Sequence, residues 1–172
     1  FTPDPLVTKK LPEGVKHGIN YNADGSVTFV FYDKDTAGQS HKYCYIVGDW
    51  NEWTRKTEGA MYYDGSQGCW WITLDGFDAD KEYRFQYRLG NTSGTDTYVS
   101  DPYTEIVYDQ WNDQYIAGVP AFPAGAKQLV SAFQINRPEY AWKNKDFKVE
   151  DKNDLVIYEM HFRDFSKTQD IA

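Results

Sequence analysis

Between residues 82 and 89 the chain alternates without a break: Tyr83, Phe85, Tyr87 and Leu89 fall on one side of an extended backbone, and Glu82, Arg84, Gln86 and Arg88 on the other. Period two over that length specifies a strand with one apolar and one wetted face, and a slip of one residue would turn every ring to water. A helix cannot present this pattern. A lone strand cannot bury its own apolar face either, so the rest of the chain has to supply a sheet and a second layer.

Segments suited to that role recur along the chain. Residues 18–21, 26–32, 41–47, 61–63, 69–74, 97–100, 104–108 and 114–117 are short and mostly rich in β-branched or aromatic side chains. Turn signals separate many of them: Asn22-Ala23-Asp24-Gly25, Asp64-Gly65-Ser66-Gln67-Gly68, the Gly/Asn/Thr/Ser loop at 90–96 and the Asp101-Pro102-Tyr103 bend. Short strands with turns at intervals of roughly 8–12 residues are the signature of a β-sandwich, so the fold class read here is all-β. Trp70 and Trp71 are neighbours in one strand and must face opposite sides, so the alternation puts at most one of them in the core.

Composition narrows the chemistry. The formal net charge is −8 and no Lys/Arg cluster is visible, which argues against nucleic acid. No apolar run approaches the ~18 residues of a membrane-spanning helix. Cys44 and Cys69 have no metal-ligand spacing, and His17, His41 and His161 lie far apart, so no metal or cofactor is expected. A Cys44–Cys69 disulfide requires their strands to be neighbours. The Asn91-Thr92-Ser93 sequon is too short a match to weigh.

The aromatic content, 6 Trp, 14 Tyr and 10 Phe, fits both a β core and a binding surface. It is concentrated most tellingly at 47–54, Val-Gly-Asp-Trp-Asn-Glu-Trp-Thr, where turn formers separate two tryptophans. Such a loop can hold a flat ring at the surface, with polar groups at its rim. That suits the apolar face of a sugar. The plain alternative is that Trp50 and Trp53 both staple the loop to the sandwich. Of the two, Trp53 is the expected platform and Trp50 the anchor.

Three further stretches read differently. Residues 1–13 contain three prolines and no periodicity, and read as a tail. Residues 119–153 begin as a Pro/Gly stretch and continue charge-mixed, with Trp142 and Phe147 as isolated aromatics; they read as a linker. Residues 155–165, Leu-Val-Ile-Tyr-Glu-Met-His-Phe-Arg-Asp-Phe, open as the apolar run of a strand covered on both faces, as in a parallel sheet. The chain opens at Phe1 rather than Met and carries no such sheet, so it reads as cut from something longer.

The run Asp154 to Ser166 resembles the first barrel strand of the α-amylase superfamily, glycoside hydrolase family 13, in its pullulanase, isoamylase and branching-enzyme branch. Gly48-Asp49-Trp50-Asn51-Glu52-Trp53, Tyr83-Arg84-Phe85 and Asp101-Pro102-Tyr103 resemble, in order and spacing, the carbohydrate-binding module family 48 that precedes such barrels. The Ala141-Trp142 pair is similar to the approach to those barrels. The resemblance implies an immunoglobulin-like (E-set) β-sandwich at 14–118, a linker at 119–153 and the start of a truncated (β/α)8 barrel at 154–172. It implies an α-glucan oligosaccharide or polysaccharide as ligand, and the protein's own catalytic barrel as a packing partner. It further implies sugar stacking on Trp53, hydrogen bonding from Arg84, a second aromatic at Tyr98 and a contact from Asn112. Tyr98 departs from the usual Trp and offers less stacking area.

No catalytic residue is expected in this chain. A retaining glycosidase needs two carboxylates about 5 Å apart, and the family's catalytic Asp, Glu and Asp lie on later barrel strands. Glu159, His161 and Arg163 read as structural polar groups at the barrel mouth or core. The competing readings are a glycogen-sensing domain without catalysis and a generic immunoglobulin-like interaction domain.

Overall fold

The computed structural model describes residues 1–33, 41–91 and 96–161. Its strands are β1 (Gly18–Tyr21), β2 (Val27–Tyr32), β3 (Tyr43–Gly48), β4 (Tyr62–Asp64), β5 (Cys69–Leu74), β6 (Tyr83–Gly90), β7 (Asp96–Val99), β8 (Ile106–Asp109) and β9 (Leu129–Phe133). The sheets are antiparallel. Sheet A has the order β1-β2-β5-β4; sheet B has the order β3-β6-β9-β8, with β7 beside the C-terminal half of β6. The chain is therefore all-β, and its described helical residues are confined to short 3₁₀ turns.

The main core lies between the inner faces of the two sheets. From β6 come Tyr83, Phe85, Tyr87 and Leu89, as the alternation requires; Val27, Phe29 and Phe31 face them from β2, and Trp70 and Ile72 from β5. Phe29 and Phe85 meet edge to face at 5.0 Å, as do Phe29 and Phe133 at 5.3 Å. Such pairs add about 0.5–1.5 kcal/mol beyond their buried area. Cys44 and Cys69 stand on different sheets, as free buried thiols.

Both outer faces are also covered, and by segments without periodicity of their own. On sheet A, Leu11 packs with Val30, Cys69 and Trp71. The N-terminal segment is fastened by the Lys9 amide donating to the Tyr63 carbonyl, the Trp71 indole donating to the Lys9 carbonyl, and the Leu11 amide donating to Asp64. Residues 1–13, expected as a tail, are thus docked as far as Leu11. Only Trp70 enters the main core, as the alternation expects, and Trp71 is buried on the opposite side of β5 under the N-terminal segment.

On sheet B the cover comes from residues 121–130. Gln86, on the expected wet face of β6, is fully buried, donating through Nε2 to the carbonyls of Lys127 and Leu129. The strand alternates as the pattern demands, but a later segment removes half of its polar face from water. That segment leads into β9, which lies within the stretch expected as linker. Val130 of β9 joins the outer-face cluster, while Phe133 enters the core. Expected strand 114–117 is instead the 3₁₀ turn Asp113–Tyr115, where Tyr115 donates its amide to Asn112 and Ile116 to Asp113.

The chain divides into two compact units, Phe1–Arg137 and Pro138–Ala172. In the second, Tyr140 and Trp142 meet edge to face at 4.8 Å, and a 3₁₀ turn spans Lys152–Asp154. Residues 155–161 form no strand and are exposed; the remainder of the expected strand 155–165 lies outside the described residues.

Candidate functional site

The turn after β3 is held from within. Asn51, buried, accepts from the Gly48 amide at 2.9 Å and donates to the Ile46 carbonyl at 3.1 Å. The chain then passes through two left-handed residues, Glu52 (φ 57°) and Trp53 (φ 59°). That conformation is costly for a residue as bulky as Trp and persists where its surroundings enforce it. Here they do: the Trp53 amide donates to the Gly48 carbonyl, its indole Nε1 donates to Asp49, and its ring is buried with Tyr43, Tyr45, Val47, Ala126 and Val130. A Cβ on Gly125 would lie 2.4 Å from the Trp53 Cβ, so the covering segment comes as close as a glycine permits.

Trp50 points the other way. It packs at the end of the main core, stacked on Phe29 at 6.2 Å and edge-on to Phe77 at 5.2 Å. It is the anchor, as its sequence reading has it. Gly48 is required beside it, since a Cβ there would meet the Arg84 carbonyl at 2.5 Å and the Trp50 ring at 2.6 Å.

Asp49 joins the loop to β6. Its carboxylate accepts from the Arg84 amide, from Nε at 3.1 Å and from Nη2 at 3.1 Å, in the two-pronged geometry that suits guanidinium and carboxylate. The third guanidinium nitrogen donates to the Ala121 carbonyl at 2.8 Å. Every nitrogen of Arg84 is therefore engaged by the chain itself. Tyr98, opposite Arg88 in the β6–β7 pair, is half-buried between two cations: the Arg88 guanidinium carbon lies 4.7 Å from its ring centre and Lys127 Nζ 4.8 Å. Arg88 in turn shares Asp96 with Arg55, each at 2.6 Å, and Tyr43 donates to the same carboxylate. Its buried Nε has no hydrogen-bond partner among the described residues.

Trp53, Arg84 and Tyr98 thus converge on the outer face of sheet B, and one segment reaches all three through Ala121, Gly125 and Lys127. Asn112 stands apart, exposed in the loop after β8, where its amide donates to Asp109. That loop is tied to the same segment by the Gln110 amide donating to the Gln128 carbonyl and the Gln128 amide donating to Gln110 Oε1. Asp109 also accepts from the Trp111 amide, and these bonds hold its carboxyl below the ordinary value of 3.8. Within β8, burial and hydrogen bonding to Glu82 push the Tyr108 hydroxyl up to about 12. Residues 121–128 carry no strand or helix pattern, so their place over this face could not be read from the sequence; the near-total apolarity of 129–133 was the signal for β9.

The family model for Carbohydrate-binding module 48 (Isoamylase N-terminal domain) matches residues 16–104. Among solved structures, pullulanase from Bacillus acidopullulyticus aligns with 17% sequence identity and a TM-score of 0.39, over 52% of this chain. The aligned part is 10% of that enzyme's chain. No curated protein sequence matches.

Proposed function

The chain belongs to the carbohydrate-binding module 48 family, and on that premise we propose that it is the N-terminal α-glucan-binding module of a glycoside hydrolase acting on α-glucans, itself without catalytic carboxylates. In this reading residues 14–118 form the immunoglobulin-like sandwich of the module, extended by β9. Residues 154–172 are the start of a (β/α)8 barrel, an assignment supported by the run from Tyr158 to Asp164 and its resemblance to the first barrel strand.

The observation that carries the binding reading is the convergence of Arg84, Tyr98 and the Trp53 indole on one face of a chain from this family. The sugar would lie across the rim formed by Tyr98 and Arg84. Trp53, expected as the open platform, is instead buried beneath residues 121–128 and supports that face from below. Tyr98, half-buried between Arg88 and Lys127, offers only part of its ring, which is worth less than the about 1–3 kcal/mol of an open aromatic platform. Affinity would then fall on the order of millimolar to tens of micromolar.

A second reading, that the face packs on the protein's own catalytic barrel, is favoured by a different observation: each side-chain nitrogen of Arg84 already makes a hydrogen bond within the chain, so fewer of its donors remain for a sugar. Titration with maltoheptaose or β-cyclodextrin, followed by tryptophan fluorescence, separates the two. Saturable change that weakens in Arg84→Ala supports the sugar-binding role. An unchanged spectrum at millimolar sugar leaves only packing.

A further inference from the structure

A second set of rings lies away from this face, at the β1 edge of sheet A. His17 stacks on Tyr32 with centroids 5.0 Å apart and planes 21° apart, and Tyr103 follows at 6.2 Å from His17. Tyr32 is 42% and Tyr103 59% exposed. The three come from separate segments: the approach to β1, the end of β2 and the bend after β7.

Each ring projects from a backbone segment that hydrogen bonds hold in place. Asn20 clamps the turn carrying His17, accepting from the Lys16 amide at 3.0 Å and donating to the Lys16 carbonyl at 2.7 Å. Tyr32 is fixed by the β2–β5 ladder opposite Cys69. Tyr103 is set by Asp101, which is 2% exposed, accepts from the Tyr103 amide at 2.7 Å and takes the Tyr87 hydroxyl at 2.7 Å. Tyr103 then lies across Gly18, where φ is +90° and an added Cβ would come 2.7 Å from the Tyr103 Cβ. A buried carboxylate, a buried tyrosine hydroxyl and a left-handed glycine together support a ring that remains mostly in water.

We propose that His17, Tyr32 and Tyr103 form a second α-glucan-binding surface, separate from the outer face of sheet B and open without any segment having to move. The His17–Tyr32 stack and the tilted Tyr103 ring beside it present exposed apolar surface against which glucose rings can lie. The two phenol hydroxyls and the imidazole edge supply rim groups for sugar hydroxyls. Preorganised rings lose little freedom on binding, so even a small contact yields net affinity. The choice of an α-glucan rests on the proposed function; the surface itself rests on the ring geometry, and all three residues lie within the family match at 16–104.

Maltoheptaose is titrated into the full chain while the ring protons of His17 are followed by NMR, with His41 and His161 as internal references and cellohexaose as the β-linked control. The expected result is a saturable shift at His17 with maltoheptaose alone. Tyr32→Ser and Tyr103→Ser, checked for an unchanged Tm, are each expected to weaken that binding about tenfold, the scale of one lost stacking contact. Maltoheptaose binding by fluorescence with His17 unmoved, and with both variants at wild-type affinity, overturns the second surface and leaves the proposed function standing. An equal response to cellohexaose overturns the α-glucan assignment. No maltoheptaose binding by either readout overturns the binding function and this surface with it.

Discussion

Trp53 and Tyr103 each follow a turn organised by an aspartate, yet the first ring is 8% exposed and the second 59%. Asp49 takes the Trp53 indole and Arg84 together, and residues 121–128 then close over them. Asp101 instead spends its bonds on the Tyr87 hydroxyl and the Tyr103 backbone, which sets the direction of the ring but does not cover it. The lesson is that a turn fixes where an aromatic side chain points. Whether it stays in water is decided by what the chain does later.

That contrast can be broken by measurement, and the largest effect belongs to the closed face. Trp53→Ala removes a buried indole from a packed cluster and is expected to cost about 3–5 kcal/mol in urea unfolding. A loss below about 1 kcal/mol would mean that residues 121–128 do not hold the ring. Asp49→Ala removes the acceptor for two Arg84 side-chain nitrogens and the Trp53 indole, and is expected to cost about 2–3 kcal/mol by the same assay. Gly125→Ala places a methyl group against Trp53 and is expected to lose about 1–3 kcal/mol. A neutral result there would show that the cover has room to retreat.

The cover on sheet A gives a test by pH. Hydrogen bonds from Ser66 and from the Leu11 amide hold the Asp64 carboxyl below its ordinary value of 3.8. A depressed value in the folded state stabilises the fold above pH 3.8, and that contribution is lost as the pH falls from 3.8 through the lower folded value. Amide exchange at Leu11 should therefore quicken in that window, and Asp64→Asn should remove most of the dependence. Unchanged protection at Leu11 across the window would detach the N-terminal segment from Asp64. The smallest stability effect belongs to the open surface: Tyr103→Ser should cost under about 1 kcal/mol, because the ring is mostly solvated already. A larger cost would make Tyr103 a structural plug and remove its contrast with Trp53.

Period and turn chemistry made most of the sandwich legible. The alternation at 82–89 and the Asp-Gly and Gly-rich turns located β1 to β8 to within a few residues, because strand pairing obeys a local rule that the sequence carries openly. The role of Trp50 as an anchor was legible for the same reason. The path of 121–128 was not, since a segment without periodicity docks through single contacts: one carbonyl to Arg84, one glycine against Trp53, one ammonium over Tyr98. Nor was the ring cluster of His17, Tyr32 and Tyr103, whose members are separated by up to 86 positions and meet only when β1 joins β2 and the Asp101 bend returns to Gly18.

By itself, then, the sequence determined that this chain forms two apolar-faced antiparallel layers, that Asp49 and Asp101 sit in turns, and which rings stand beside them. Tertiary structure alone decided which polar face stays wet. The covering of Arg84, Gln86 and Trp53 depends on carbonyls 37 and 41 residues further along the chain and on a glycine 72 residues further along, and local patterning cannot encode a partner at that distance.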